Sequence, residues 1–260
     1  MIKKIESLDN QIIKQCIRLQ SKKYRDKEGL YVIEGPNLVE EALKNGAKLK
    51  AVLVMEDYDL KDSMENVDIY LLGNRLFSKV SNTETPQGIM AIVEKEEKTF
   101  DQILALDEEK GASGNLLVLD KLQDPGNIGT MIRTADAAGY LAIVLVKGSG
   151  DVYSPKVVRS AAGSLFRIPM IYVEDYEELE GQMRRMSKRL VATGFDTDHY
   201  YYQEDLSEGI ALIIGNEGNG VNPLLMAKAD AIVKIPMEGT IESLNAAVSA
   251  GILMYERMRK

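Results

Sequence analysis

The residues best suited to chemistry lie in loops that follow apolar runs late in the chain. The run Ile210-Ala-Leu-Ile-Ile-Gly215 has the pattern of a buried strand, and the glycine-rich stretch Asn216-Glu-Gly-Asn-Gly220 follows it. A second apolar run, Ala231-Ile-Val-Lys-Ile-Pro236, leads into the loop at 237–241 and then into a helix that we expect to open at Glu242. Backbone N–H groups and small side chains in such loops can hold a small polar cofactor without many charged side chains.

Arg133 is the charged side chain with the clearest chemical setting. It lies two turns into a helix predicted over 127–138, which Gly139 ends and which follows a loop after the apolar strand 116–120. Asn127, at the start of this helix, would lie near the carboxyl edge of the sheet together with Arg133. A surface arginine has the same pattern, so position alone leaves both interpretations open.

Several common kinds of active site are disfavoured by the residues present. The chain has one histidine, His199, in a polar and aromatic loop, and one cysteine, Cys16, so it offers no Ser/His/Asp set, no Cys/His set and no zinc cluster. We therefore expect no metal. The loop at 215–220 lacks the Gly-Lys-Ser/Thr of a phosphate-binding loop and the spacing of a dinucleotide fingerprint. Taken alone, it fits a tight strand-to-helix turn equally well.

These loops need a scaffold that brings them to one place. Over residues 115–260 strand, loop and helix patterns alternate, which predicts an α/β fold with a mostly parallel sheet covered by helices on both faces. Ligands of such sheets bind at the carboxyl ends of the strands. The residues that end predicted strands, and whose loops could converge there, are Asp120, Thr193, Gly215 and Pro236.

The first part of the chain predicts a separate, small α/β domain over residues 1–97. Apolar spacing over residues 2–22 indicates a helix, and the polar residues 21–29 indicate a turn. Charged and glycine-containing residues at 98–114 indicate a linker between this domain and the domain at 115–260.

Charge and composition limit the partners and the compartment. The formal net charge is −8, which by itself argues against nucleic acid, but residues 1–30 hold eight basic and four acidic side chains. This basic segment is either an electrostatic footprint or a solvated helix face. The chain has no apolar run long enough for a membrane span, no signal-peptide pattern and a lone cysteine, which together predict a cytoplasmic protein.

Three stretches together resemble the signature motifs of a known enzyme family, the SpoU (TrmH) RNA ribose 2′-O-methyltransferases of the SPOUT superfamily. The stretches are 119–139, which contains Asn127-Ile-Gly-Thr-Met-Ile-Arg133, then Ile213-Ile-Gly-Asn-Glu-Gly-Asn-Gly-Val221, and 233–250, which contains Ser243-Leu-Asn245. They occur in the family's order and spacing, and the likeness covers residues 115–260. A shorter likeness at 22–35 is to the family's N-terminal substrate-binding domain, which has a ribosomal-protein-like fold.

The resemblance implies properties that the residue patterns do not. The catalytic domain would end in a deep trefoil knot, a feature that is otherwise nearly absent from proteins. The cofactor would be S-adenosylmethionine (AdoMet), and the enzyme would be a homodimer acting on RNA. The implied cofactor-binding residues are Thr193, Gly215, Asn216, Gly218, Ile235, Pro236 and Leu244. The implied catalytic residues are Arg133, Asn127, Glu217, Ser243 and Asn245.

The implied reaction suits these residue types. A ribose 2′-hydroxyl is a poor nucleophile and a sulfonium methyl is a good electrophile, so alignment can supply much of the rate. An arginine stays protonated in proteins and cannot easily remove a proton, so we interpret Arg133 as a group that binds the adjacent phosphate and orients the hydroxyl. We further predict that the basic segment, through Lys22, Lys23 and Arg25, binds RNA phosphates.

Other functions remain open at this point. Ribosomal RNA is favoured over transfer RNA, because minimal transfer-RNA members of the family have short helical extensions instead of a separate N-terminal domain. A resistance methyltransferase would have the same architecture. A non-catalytic RNA-binding or assembly factor could retain the fold, although the five catalytic-type residues argue against it. A nicotinamide-dependent enzyme is disfavoured by the absent fingerprint.

Overall fold

A computed structural model describes residues 2–60, 64, 67–241 and 243–259 of the chain. The chain divides into two compact units. Unit 1 comprises the residues up to Lys95 together with Asp151–Phe166, and unit 2 comprises Glu96–Gly150 together with the residues from Arg167 onward.

Strands and helices alternate along most of the chain. The strands are β1 (Ile2–Ile5), β2 (Leu30–Glu34), β3 (Leu49–Met55), β4 (Asp68–Leu72), β5 (Ile89–Glu94), β6 (Leu116–Leu119), β7 (Ala142–Val146), β8 (Met170–Val173), β9 (Arg189–Thr193), β10 (Ile210–Ile214) and β11 (Ala231–Val233). The helices are α1 (Gln11–Arg18), α2 (Lys22–Glu28), α3 (Pro36–Lys44), α4 (Asn74–Val80), α5 (Phe100–Glu109), α6 (Pro125–Ala137), α7 (Pro155–Ala161), α8 (Tyr176–Arg185), α9 (Pro223–Met226) and α10 (Ala246–Glu256).

Unit 1 is built on a mixed sheet of five strands in the order β1-β4-β3-β5-β2. The helix predicted over residues 2–22 is wrong in its first part, because Ile2–Ile5 pairs in parallel with β4. Only the residues after Asn10 are helical, and the Asn10 side chain accepts a hydrogen bond from the Ile12 N–H. The polar residues predicted as a turn form α2, which Gly29 ends at a φ of +64°. Pairing between distant strands therefore overrides the local apolar spacing.

Unit 2 contains the parallel sheet that the sequence predicts. Its six strands run in the order β11-β9-β10-β6-β7-β8, and every neighbouring pair is parallel. All residues of β6, β7 and β10 are buried, so both faces are covered at the centre of the sheet. The centre of the sheet is therefore buried, and the carboxyl ends of all its strands lie along the same side, which we call the carboxyl edge.

The segment predicted as a linker contains a helix of unit 2. The helix α5 opens with a capping box in which Thr99 and Gln102 exchange hydrogen bonds. It buries Phe100 and Ile103 in the core of unit 2. The charged residues that suggested a linker include Asp107, which is buried in an ion pair of 2.5 Å with Lys188. The division between the units accordingly lies at Lys95 and Glu96.

Among the described residues no helix has the length and apolar character that a membrane crossing requires.

Candidate functional site

The loops singled out by the sequence begin side by side at the carboxyl edge of the unit 2 sheet. The strand β10 lies between β6 and β9, with Ile214 beside Leu119, and Thr193 of β9 lies beside Val233 of β11. The convergence expected for the loops after Asp120, Thr193 and Gly215 is therefore present. Pro236 does not end a strand, since β11 stops at Val233. The Lys234 N–H that follows donates instead to the carbonyl of His199, at 3.0 Å.

The glycine-rich loop after β10 is a closed and well-bonded turn. Two backbone hydrogen bonds, of 3.0 and 2.9 Å, join Asn216 and Gly220. The Asn216 side-chain oxygen accepts from the N–H groups of Gly218 and Asn219 at 3.0 and 3.2 Å. A Cβ atom on Gly215 would lie far inside the van der Waals distance of the Gly220 and Val221 backbone. Only glycine fits at position 215, and this identifies the stretch as a shaped loop.

Glu217 joins the glycine-rich loop to the start of α6. Its carboxylate accepts hydrogen bonds from the Asn127 side chain at 3.2 Å and from the N–H groups of Gln123 and Asp124 at 3.2 and 3.1 Å. The Asn245 side chain donates in turn to the Asn127 side-chain oxygen at 2.9 Å. We call Glu217, Asn127 and Asn245 the amide network. It connects one residue from each of the three motif stretches.

The last helix begins later than the sequence predicts. Asn245 is the N-cap of α10, and its side-chain oxygen accepts from the N–H groups of Ala247 and Val248. This capping places residue 245 at the mouth of the loop rather than inside the helix. Glu242, where we expected the helix to open, lies outside the described residues, and Ser243 is exposed. One asparagine therefore both caps α10 and anchors Asn127.

Arg133 is exposed on α6 and does not take part in the amide network. Arg133 follows Asn127 by six positions, which on an α-helix places the two side chains about 120° apart. In the described part of the chain the Arg133 side chain forms no hydrogen bond and no ion pair. No hydrogen bond or ion pair with a described residue therefore competes with a ligand for its guanidinium.

The residues that the resemblance assigns to the cofactor are only partly enclosed. Thr193, Asn216, Ile235 and Leu244 are half-buried, Gly215 is buried, and Gly218 and Pro236 are exposed. The Thr193 hydroxyl donates to the Ile213 carbonyl at 3.2 Å, across neighbouring strands. Partly exposed apolar side chains beside shaped backbone are what an adenosine-like ligand requires, since its base is apolar and its edges are polar.

Asp120 is a residue of this site for which the sequence predicts only that it ends a strand. Its side chain is 1% exposed, and it accepts from the Asn222 N–H at 2.7 Å and from the Tyr176 hydroxyl at 2.9 Å. It therefore fixes the far end of the glycine-rich loop. A signal was present in the sequence: a carboxylate directly follows four apolar residues of a buried strand. A buried acidic residue needs hydrogen-bond partners, so this position predicts a structural role.

The three basic residues predicted to bind RNA differ in the structure. Lys22 and Lys23 are exposed on α2. Arg25 is 4% exposed, and its guanidinium donates to one Asp151 carboxylate oxygen at 2.8 and 2.6 Å and to the Leu19 carbonyl at 2.7 Å. We correct its assignment accordingly: Arg25 stabilises unit 1 and is not available to a phosphate, because its donors are already engaged.

Glu217 is held in its ionised form. Partial burial would raise the pKa of this carboxyl, but hydrogen bonds from its own N–H, the Asn127 side chain and the N–H groups of Asp124 and Gln123 outweigh burial and lower it. A carboxylate with a lowered pKa is a weak base. Glu217 is thus suited to holding the loops together and not to removing a proton.

Replacing Glu217 by Gln should uncouple the loops. The amide would oppose one of the backbone N–H donors, and an unsatisfied donor costs about 1–3 kcal/mol when buried, so kcat/KM should fall roughly tenfold at this partly exposed position. The pH dependence of stability gives a second check. Because the pKa of Glu217 is lowered, its contribution to the free energy of unfolding is fully present above the ordinary pKa of 4.5 and is lost as the pH falls through the lowered pKa. A Glu217→Gln enzyme with wild-type kcat/KM would contradict this account.

The described residues contain no group of three or more His, Cys, Asp or Glu side chains that could hold a metal ion.

Two family models match the chain. Residues 114–255 match the SpoU rRNA Methylase family, and residues 10–91 match the MRM3-like substrate binding domain.

Full-length relatives and solved structures agree with these matches. The chain is 39% identical over 98% of both chains to the 23S rRNA (guanosine(2553)-2′-O)-methyltransferase RlmP of Bacillus subtilis. An AdoMet-bound rRNA methyltransferase from Sinorhizobium meliloti superposes with a TM-score of 0.88 at 32% identity, covering 99% of this chain and 98% of the other. The SpoU methyltransferase AviRb from Streptomyces viridochromogenes, in complex with the cofactor AdoMet, has a TM-score of 0.85 at 27% identity over 96% and 97%.

Proposed function

The chain belongs to the SpoU rRNA methylase family, and we propose that it methylates a ribose 2′-hydroxyl of ribosomal RNA with AdoMet as methyl donor. The observation that carries this proposal is the amide network, in which Glu217, Asn127 and Asn245 join the three motif stretches at one sheet edge. A full-length relative is a 23S rRNA 2′-O-methyltransferase, which favours the large-subunit RNA as the substrate class.

The residues at the sheet edge fit AdoMet. Half-buried Ile235 and Leu244 suit the adenine ring, and the space that a Cβ on Gly215 would fill is already occupied by backbone, so the loop is pre-shaped. Thr193 lies on the neighbouring strand end. When bound, AdoMet supplies an electrophilic methyl group, and the chain's task is to align a hydroxyl with it.

Arg133 is the residue that we assign to the hydroxyl. It is exposed, it has no described partner, and a planar guanidinium can bind a phosphate with two hydrogen bonds and so fix the neighbouring ribose. Asn127, Glu217 and Asn245 hold the helix that carries it in position. Ser243 stays a predicted substrate contact. Asn216, Gly218 and Pro236 stay predicted cofactor contacts.

Unit 1 is proposed to bind the RNA backbone. Lys22 and Lys23 are exposed and form no ion pair with described residues, in contrast to Lys44, which pairs with Glu40 at 2.6 Å. Lysines without an ion-pair partner can neutralise RNA phosphates, and this releases the counterions that are condensed on the RNA.

A double substitution of Lys22 and Lys23 by Ala should weaken RNA binding and flatten its dependence on salt. Each lost phosphate contact reduces the slope of log affinity against log salt by about 0.7–0.9, so two contacts give up to roughly 1.4–1.8. Filter binding between low and high salt measures the slope, with Lys44→Ala as the matched control. An unchanged slope would show that Lys22 and Lys23 do not contact RNA phosphates.

Homodimer formation, the trefoil knot and a cytoplasmic location stay predictions. A second copy is favoured by exposed apolar residues on and after α10, where Val248 is 52% exposed and Met258 is 52% exposed. Sedimentation of the wild-type protein tests the dimer.

The proposed activity is tested with radiolabelled AdoMet and RNA from cells that lack this gene. We expect label to enter ribosomal RNA and not transfer RNA, and Arg133→Ala to slow its entry by about 10²–10³-fold. Label in transfer RNA alone would overturn the substrate class. Absence of both label and cofactor binding would overturn the enzyme assignment in favour of an RNA-binding factor.

A further inference from the structure

Lys121, the residue after Asp120, has an unusual backbone conformation. Its φ is +56°, and among the described residues only Ala112, Ala162 and Ser187 are other non-glycine residues with a positive φ. For a residue with a Cβ this conformation costs on the order of 1–2 kcal/mol. Strained positions of this kind cluster at functional sites, where the surrounding structure holds them in place.

Three loops hold the Lys121 backbone. Its N–H donates to the Ser149 hydroxyl at 3.1 Å, and that hydroxyl donates to the Leu119 carbonyl at 3.0 Å. Its carbonyl accepts from the Asn216 side chain at 3.0 Å and from the Gln123 side chain at 3.1 Å. The loops that follow β6, β7 and β10 thus all fix one residue at the rim of the candidate site.

The Lys121 side chain is ordered as well. Its stem passes over the bare backbone of Gly148, where a Cβ would lie 3.4 Å from Lys121 Cγ. Its Nζ lies 5.2 Å from the centre of the Tyr176 ring. A hydrogen bond with the Tyr176 hydroxyl raises the pKa of Lys121, so the ammonium is charged throughout the physiological range.

This ammonium forms no ion pair with a described residue, although the nearby Asp120 carboxylate helps to raise its pKa. The carboxylate of Asp120 is buried and accepts from Asn222 and from Tyr176, and it forms no ion pair with Lys121. Lys147, on the neighbouring loop, is different because it pairs with Glu174 at 2.5 Å. Lys121 is therefore a fixed and exposed positive charge that forms no ion pair with a described residue, in a chain of net charge −8.

We propose that Lys121 binds a backbone phosphate of the RNA strand at the rim of the methyl-transfer site, an inference that rests on the proposed function. A point charge held by three loops can fix the register of a strand without reading its bases. Hydrogen bonds to its backbone hold Lys121 at the carboxyl edge of the sheet, in the loop that leads into α6, the helix that carries Asn127.

Lys121→Gly tests this with little risk to folding, because glycine tolerates a φ of +56° and removes only the side chain. Lys121→Arg keeps the charge, and Lys110→Ala removes an exposed lysine on the loop that leads into the opposite end of β6. RNA affinity is measured against salt, cofactor affinity by calorimetry and folding by thermal unfolding. We expect Lys121→Gly to weaken RNA binding several-fold and to reduce the salt slope by about 0.7–0.9, with cofactor affinity unchanged. Lys121→Arg and Lys110→Ala should keep the wild-type slope.

Three results would overturn the inference while leaving the proposed function intact. One is a Lys121→Gly protein with the wild-type salt slope on an RNA that the wild-type enzyme methylates. Another is a loss of cofactor affinity with RNA affinity unchanged, which would place the ammonium on the cofactor's carboxylate. The third is a fall in thermal stability alone, which would make the contact with Tyr176 purely structural. A wild-type protein that methylates no RNA would instead overturn the proposed function.

Discussion

Replacing Gly215 by Ala should abolish measurable cofactor binding. The added Cβ would overlap the backbone of Gly220 and Val221, and that backbone cannot move aside easily. It is held by two hydrogen bonds between Asn216 and Gly220 and by the Asp120 carboxylate at Asn222. We also expect the free energy of unfolding to fall by about 1–3 kcal/mol, as for other overpacked sites.

Gly181→Ala is the matched control for this substitution. Gly181 lies on α8, outside the residues assigned to the cofactor, a Cβ there would meet no atom within 4 Å, and its φ is not in the left-handed region. This variant should bind AdoMet within a few-fold of wild type. Calorimetry gives the affinities and circular dichroism reports folding. A folded Gly215→Ala protein with wild-type affinity would show that the loop does not form the cofactor site.

Arg133→Ala should lower kcat by about 10²–10³-fold, the usual cost of removing one pre-positioned donor from an active site. Cofactor affinity and stability should not change, because the side chain is exposed and forms no hydrogen bond or ion pair with a described residue. Arg133→Lys should restore little, since an ammonium lacks the planar fork that binds a phosphate with two hydrogen bonds.

Arg184→Ala is a suitable control for the arginine, because Arg184 is 60% exposed on α8 and Glu180 is its one ion-pair partner among the described residues. Single-turnover measurements with saturating RNA and AdoMet isolate the chemical step. A lysine variant with near-wild-type turnover would rule out any role that needs the guanidinium.

The sequence predicted the parallel sheet well because its strands are buried on both faces. Continuous apolar runs such as 210–214 and 142–146 have few other structures open to them. The loops at the carboxyl edge follow from the same pattern, which is why the sequence places Thr193 and Gly215 at the ends of strands. The resemblance, not the pattern, supplied Glu217 and Asn245.

What the sequence could not show depends on contacts between distant residues. The strand at Ile2–Ile5 exists because it pairs with β4, and its local spacing is that of a helix. Arg25 lies in a basic segment and so resembles an RNA-binding residue in sequence, but it forms a buried ion pair with Asp151, which is far along the chain. The charge of Asp107 favours a linker in sequence, because its buried ion pair with Lys188 joins residues that are far apart in the chain.

The position of the methyl group tests the central claim most directly. Ribosomal RNA labelled by the enzyme is hydrolysed in alkali, which cleaves only next to a free 2′-hydroxyl. We predict that the label is recovered in an alkali-stable dinucleotide and maps to one nucleotide of the large-subunit RNA. Label recovered in a mononucleotide with a methylated base would contradict ribose methylation and with it the role assigned to Arg133.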